Sequence, residues 1–170
     1  MRITICPAAR FLITSLLLLS SLAQAETISG KVIGDGDTID VLDAVRTPHR
    51  IRLGGIDAPE KAQPFGARSK QHLSEQVFGK QVDVQFSKAD QNGRPVGKVM
   101  VNGRDANLEQ IRSGFAWHYK KYQKDQLASD RAIYAEAEIS ARQIKAGCGA
   151  IPNRCRPGSG ATAVRINPLR

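Results

Sequence analysis

The feature that most constrains this chain is the way its hydrophobic period alternates between two values. Over much of residues 27–101 apolar side chains recur at every second position, in short runs separated by turn signals, which is the pattern of half-buried strands. Residues 27–33 form one such run, and Asp35-Gly36 turns the chain into a second at 38–42. A third covers 49–53, with Ile51 and Leu53 on one face and Arg50 and Arg52 on the other. Val82, Val84 and Phe86 alternate in a fourth. The fifth, 96–101, ends at Asn102-Gly103, a tight-turn dipeptide.

Elsewhere the spacing widens to three and four. Phe65, Leu73 and Val77 line one side of a helix predicted over 66–78, and Leu108, Ile111 and Phe115 line another around the Gly114 break. A third helix is expected to start at a Ser129 or Asp130 cap, carry the stripe Tyr134, Ala137, Ala141 and Ile144, and stop at Gly147. Five strands with a helix after the third and helices at the end predict a mainly β chain with helices (α+β), a small barrel with helical cover.

The ends read differently. Arg2 and Arg10 precede a nearly continuous apolar run from 11 to 22, followed by Ala23-Gln24-Ala25. This is the layout of a secretory signal peptide over 1–25, cleaved after Ala25, and the run is short of the ~20 residues a membrane span needs. The expected product is an exported monomer, periplasmic or secreted, with no stable membrane association. Its folded domain would occupy 26–147, and 148–170 would hold a closed turn and a Gly-, Ser- and Pro-rich tail. Cys148 and Cys155 remain once Cys6 has left with the leader; in an oxidising compartment they are expected to form a disulfide, while a zinc site would need two more ligands and has no histidine near. The formal net charge of +9 favours polyanionic partners, nucleic acid first, although many exported proteins are basic.

Carboxylates gather in two places, Asp35 and Asp37 in the turn before the second strand, and Asp57 and Glu60 just after the third. If those strands pair as a hairpin, Asp37 and Asp57 face each other, an arrangement that needs a positive partner such as a hard divalent cation. Each stretch taken alone also reads as an ordinary turn. An EF-hand is excluded, because the twelfth position counted from Asp35 is Arg46. Arg52, before Asp57, and Arg94, after Asn92-Gly93, have the planar donors that match a phosphodiester gaining charge on its oxygens; singly, each also reads as a solvated strand charge.

Asp35-Gly36-Asp37-Thr38, then Ile51-Arg52-Leu53-Gly54-Gly55-Ile56-Asp57-Ala58-Pro59-Glu60, then Asn92-Gly93-Arg94, in that order, resemble the staphylococcal nuclease family, from about residue 30 to 119 and more loosely to 147. The resemblance implies an OB-fold barrel of five strands with about three helices. It implies calcium (Ca2+) held by Asp37, Asp57 and the backbone carbonyl of Ala58, with Asp35 in the outer shell. It implies Glu60 as general base, Arg52 and Arg94 as phosphate clamps, and cleavage of DNA or RNA to 3′-phosphate ends. One departure stands out: Gln91 and Asn92 occupy places where the family prototype has Lys-Tyr in contact with the nucleotide.

The run Trp117-His118-Tyr119-Lys120-Lys121-Tyr122 offers a second source of aromatic and basic contact. Tyr119 and Tyr122 are candidates for base stacking and Lys120 and Lys121 for the backbone, or else the lysines are simply solvated; Trp117 is expected in the core. His49, His72 and His118 are scattered and take no catalytic role. Two rivals to an enzyme are a barrel that binds nucleic acid without cutting it and a basic envelope protein; the presence of all five acid and arginine positions argues against the first.

Overall fold

The structure is a computed structural model and describes residues 28–32 and 35–150. The leader expected over 1–25, Cys155, and the tail past residue 150 lie outside the described residues.

Strands β1 (Ile28–Val32), β2 (Thr38–Leu42) and β3 (Pro48–Leu53) form an antiparallel meander. Two-residue β4 (Ile56–Asp57) follows, then helix α1 (Gly66–Val77) and strand β5 (Gln81–Ala89), whose start borders β1. β5 pairs with β6 (Pro95–Val101), and β6 then runs parallel to β3 through Arg52↔Val96 and Leu53↔Gly97. That last pairing closes five strands into a barrel. Asn102 and Gly103, both left-handed at φ 50° and 76°, make the predicted tight turn into the short strand β7 (Arg104–Asp105). Helix α2 (Ala106–Arg112), strand β8 (Trp117–His118), a 3₁₀ segment (Lys120–Asp125) and helix α3 (Ala128–Gln143) complete the cover, and β8 pairs with β4 in a ribbon of its own. The two-residue strands carry no period, so sequence pattern gave no sign of them.

The alternation sets the core. Ile39, Val41, Ile51, Leu53, Val82 and Val99 fill the barrel, while Leu73 and Val77 from α1, Ile111 from α2, and Tyr134 and Ala137 from α3 seal it. Trp117 is buried beside Cys148, as expected for a core anchor.

Three local expectations fail. Phe86 is exposed, because β5 outruns the core beyond Val84 and a register shift between Phe86 and Lys88 distorts its pairing. Ile144 is exposed too, since α3 ends at Gln143, one residue before the stripe's last member. Neither Ser129 nor Asp130 caps that helix. It starts at Ala128 after Leu127, without a side-chain cap, and Asp130 instead pairs with Lys98 at 2.7 Å.

Candidate active site

The acids meet where the β2 start, the β3 end and β4 come together. Asp37 stands one residue ahead of β2, and its carbonyl accepts the Leu53 N–H at 2.8 Å. After Leu53 the Gly54-Gly55 turn, with Gly55 at φ 73°, swings the chain so that Asp57 comes back alongside. Between the two acids lies Arg52, with Nη1 3.1 Å from Asp37 Oδ2 and Nη2 3.2 Å from Asp57 Oδ1. The predicted juxtaposition of Asp37 and Asp57 is therefore present, with Asp57 on β4 and the guanidinium as the bridge.

Asp37 and Asp35 are held by further fixed donors. Thr38 Oγ1 donates to Asp37 Oδ1 at 2.9 Å, and the Ala58 N–H donates to Oδ2 at 3.3 Å. Asp35 accepts the Lys61 N–H at 2.9 Å, which ties the acidic turn to the loop carrying Glu60. The Glu60 N–H donates to Gln63 Oε1 at 2.8 Å, and the start of α1 packs so tightly on this loop that a Cβ on Gly66 would fall 2.1 Å from the Glu60 carbonyl oxygen.

Electrostatics follow from this crowding. Burial pushes the Asp37 carboxyl up, and Arg52, Thr38 and the Ala58 N–H pull against that rise. Glu60 is raised as well, first by partial loss of water, then by a hydrogen bond with Asp35 and by the charges of Asp35, Asp37 and Asp57. Burial works against the charge of Arg52, yet Asp37 and Asp57 together hold its guanidinium above the ordinary value.

This donor set suits a hard divalent cation in chemistry: all oxygens, several anionic, already close enough to perturb one another. In their present positions, among the described residues, no three acids, cysteines or histidines converge tightly enough to enclose an ion. Arg52 supplies the positive charge between Asp37 and Asp57.

Arg52 also lines a cavity of about 650 Å³ whose walls include none of Asp35, Asp37, Asp57 and Glu60, and Arg94 lines it too. Arg94 is held by Asp90, whose carboxylate accepts its Nε at 2.8 Å and its backbone N–H at 2.9 Å. One wall is the overhanging β5–β6 hairpin; the other carries Tyr119 and Tyr122, whose rings meet edge to face at 5.4 Å. Lys121 lines the cavity with its ammonium 5.5 Å from the Tyr122 ring centre. Lys120 does not line it, because its ammonium is bound to the buried Glu138 at 3.0 Å. Gln91 and Asn92 belong to the lining, and none of the three histidines does.

Sequence reasoning missed Phe86 and Lys88 in this wall. Lys88 sits 4.4 Å over the Tyr122 ring centre and pairs with Asp125. The available signal was length: the fourth run continues past its last core residue, so its far end must overhang.

Comparisons with known proteins bear on the family of the chain. A family model described as staphylococcal nuclease homologue matches residues 50–148, a span that includes Arg52, Asp57, Glu60 and Arg94 but starts after Asp35 and Asp37. The chain is 34% identical over 163 residues to an uncharacterized endonuclease of Haemophilus influenzae, covering 93% of this chain and 88% of that one. It is 34% identical over 161 residues to the micrococcal nuclease of Shigella flexneri, covering 88% and 90%. It is also 38% identical over 108 residues to the staphylococcal-like nuclease CAN1 of Arabidopsis thaliana, covering 64% of this chain and 32% of that one.

Proposed function

The chain belongs to the staphylococcal nuclease family, and from that premise we propose that it is a calcium-dependent nuclease cutting DNA or RNA to leave 3′-phosphate ends. The observation that carries the reading is the Arg52 bridge between Asp37 and Asp57 at the edge of a cavity that also holds Arg94.

The carboxylates of Asp37 and Asp57 with the Ala58 carbonyl would hold calcium, Asp35 lying outside them, and the bound ion would polarise a phosphoryl oxygen. Glu60 accepts the proton of the attacking water. A carboxyl raised by its neighbours is a stronger base than an ordinary one, and it remains exposed to solvent and substrate. Arg52 and Arg94 line the same cavity, Arg94 two residues before the Val96 that pairs with Arg52, and their planar donors stabilise charge growing on the equatorial oxygens. Asp90 fixes the Arg94 side chain in advance, which lowers the entropy lost when it meets phosphate. Tyr119, Tyr122 and Lys121 take the neighbouring nucleotides by stacking and charge.

The same reading includes export with cleavage after Ala25 and a Cys148–Cys155 disulfide. The charged start, short apolar run and Ala23-Gln24-Ala25 support the first, and two cysteines left in an oxidising compartment support the second. N-terminal sequencing and thiol titration of the unreduced protein check both.

The deciding experiment incubates the purified protein with plasmid, with and without chelator, and identifies the product ends. Calcium-stimulated cleavage with 3′-phosphate ends is expected. Undiminished cleavage in excess chelator would remove the metal from the reading.

A further inference from the structure

Helix α2 buries two carboxamides on the face it shares with Ile111, at Asn107 and Gln110, both fully enclosed. A buried carboxamide is costly unless its polar atoms are paired, so its partners reveal what it holds. Asn107 ties β6 to the turn before β4: Nδ2 donates to the carbonyls of Gly54 and Gly97, and Oδ1 accepts the Val99 N–H. Gln110 reaches elsewhere. Its Nε2 donates to the Gly36 carbonyl at 2.7 Å and to the Ser69 carbonyl at 3.1 Å, and its Oε1 meets His72 Nδ1.

Gly36 lies between Asp35 and Asp37. Its carbonyl belongs to the same rigid peptide plane as the Asp37 N–H, so a hydrogen bond to that oxygen fixes the direction in which Asp37 leaves the turn. The turn has no room to move the other way. A Cβ at Gly36 would fall 1.7 Å from the Oγ of the fully buried Ser69, which is itself anchored by donating to the Phe115 carbonyl at 2.7 Å. The acidic turn is thus held at Gly36 by side chains of two helices, Ser69 of α1 and Gln110 of α2.

We infer that Gln110 is a positioning residue for the calcium-binding acids, setting the placement of Asp35 and Asp37 through the Gly36 carbonyl, with Ser69 as its support. This rests on the proposed calcium site. Outer groups that orient metal ligands are commonly worth 10–100-fold in metal affinity, and the grip on Gly36 belongs to that class.

The test is calorimetric titration of the full chain with calcium, beside thermal melting in chelator and steady-state cleavage at saturating calcium. Gln110→Met keeps the length and apolar bulk of the side chain but removes both donors, and it should weaken calcium about tenfold or more. KM for DNA at saturating calcium should stay within twofold of the parent, a split that general loosening of the fold would not give. Ser69→Ala should weaken calcium about threefold. Val82→Ala, a core truncation on β5 outside these hydrogen bonds, should lower the melting temperature at least as far as Gln110→Met while leaving calcium affinity nearer the parent. Calcium affinity of folded Gln110→Met within twofold of the parent overturns the inference; if that variant does not fold, parent-like affinity in Ser69→Ala overturns it. A parent that binds no calcium overturns the proposed metal site and this inference with it.

Discussion

The acidic end of the site and the aromatic end, in the cavity beside it, are built in opposite ways. At the acidic end, Asp37 is enclosed, and its carboxylate is held by Arg52, Thr38 and the Ala58 N–H, groups drawn from three different segments. At the aromatic end, Tyr122 is exposed, stands on a 3₁₀ segment, and is covered by the flexible ammonium of Lys88. The first arrangement costs desolvation and like-charge repulsion and gives fixed geometry. The second costs little and gives long side chains that exchange partners. Chemistry that depends on stabilising a transition state belongs to the fixed end, and affinity for an irregular polymer belongs to the adaptable one.

Substitutions at the two ends should therefore separate rate from binding, and the largest effects belong to the acidic end. Glu60→Gln preserves shape but cannot accept the proton of water, so kcat should fall about 10²–10⁴-fold while binding of DNA in calcium is retained. Arg94→Ala should lower kcat more than it raises KM, and Arg94→Lys should recover little, because an ammonium lacks the planar fork. Single-turnover rates with a single-stranded oligonucleotide check both; a rate within threefold of the parent withdraws the role of that residue. At the aromatic end Tyr122→Leu should leave kcat nearly unchanged and raise KM about tenfold, the equivalent of one lost stacking contact. A kcat effect larger than the KM effect there would erase the contrast.

The acidic end should also declare itself in stability against pH. Asp37 and Glu60, and outside the site the half-buried Asp105, are raised above their ordinary values of 3.8, 4.5 and 3.8, so between those values and the raised ones the folded state binds more protons than the unfolded state. Stability of the chelated protein should then fall as pH rises through the raised values and recover on acidification toward the ordinary ones. Asp43 and Asp90 are lowered, by His49 and backbone donors at Asp43 and by Arg94 and Asn92 at Asp90, and their opposite contribution acts below 3.8. Saturating calcium should flatten the trend. Urea midpoints at several pH values, with and without calcium, measure it, and a chelated protein equally stable across the range would mean that burial and the neighbouring acids do not shift these groups.

How legible each end was in the sequence follows from the same contrast. The acidic end is compressed into two short motifs, and strand alternation alone put Arg52 outward and Ile51 and Leu53 inward, as found. The barrel was legible for the same reason, since a half-buried strand must alternate. What stayed hidden depends on distance or on where burial stops. The parallel β3–β6 closure joins segments some forty residues apart, and Phe86 has the same alternation as Val82 although the core no longer reaches it. Lys120 and Lys121 are indistinguishable as letters; the 3₁₀ segment sends one to Glu138 and the other into the cavity. Asn107 and Gln110 did leave a trace, two amides in register with Ile111 on an apolar helical face, but a trace that names no partner.

The smallest expected effect probes the adaptable end most directly. Lys88 is paired with Asp125 in the free protein, and its ammonium lies over the Tyr122 face on which a base would stack. Such an exposed pair contributes little to stability, so nucleic acid has little to overcome in separating it. If Lys88 transfers from Asp125 to a phosphate when substrate enters, Asp125→Asn removes the competitor and should lower KM about twofold at moderate salt. Lys88 would then meet a phosphate in both complexes, so Asp125→Asn should leave the fall of log affinity with log salt near that of the parent. Lys88→Met should make that fall shallower by about 0.7 on a single strand while leaving kcat alone. Binding of a fluorescent oligonucleotide to Glu60→Gln, followed across salt concentration, isolates this step from cleavage. A slope for Lys88→Met that coincides with the parent background would show that Lys88 never leaves its pair, and the aromatic end would then be as fixed as the acidic one.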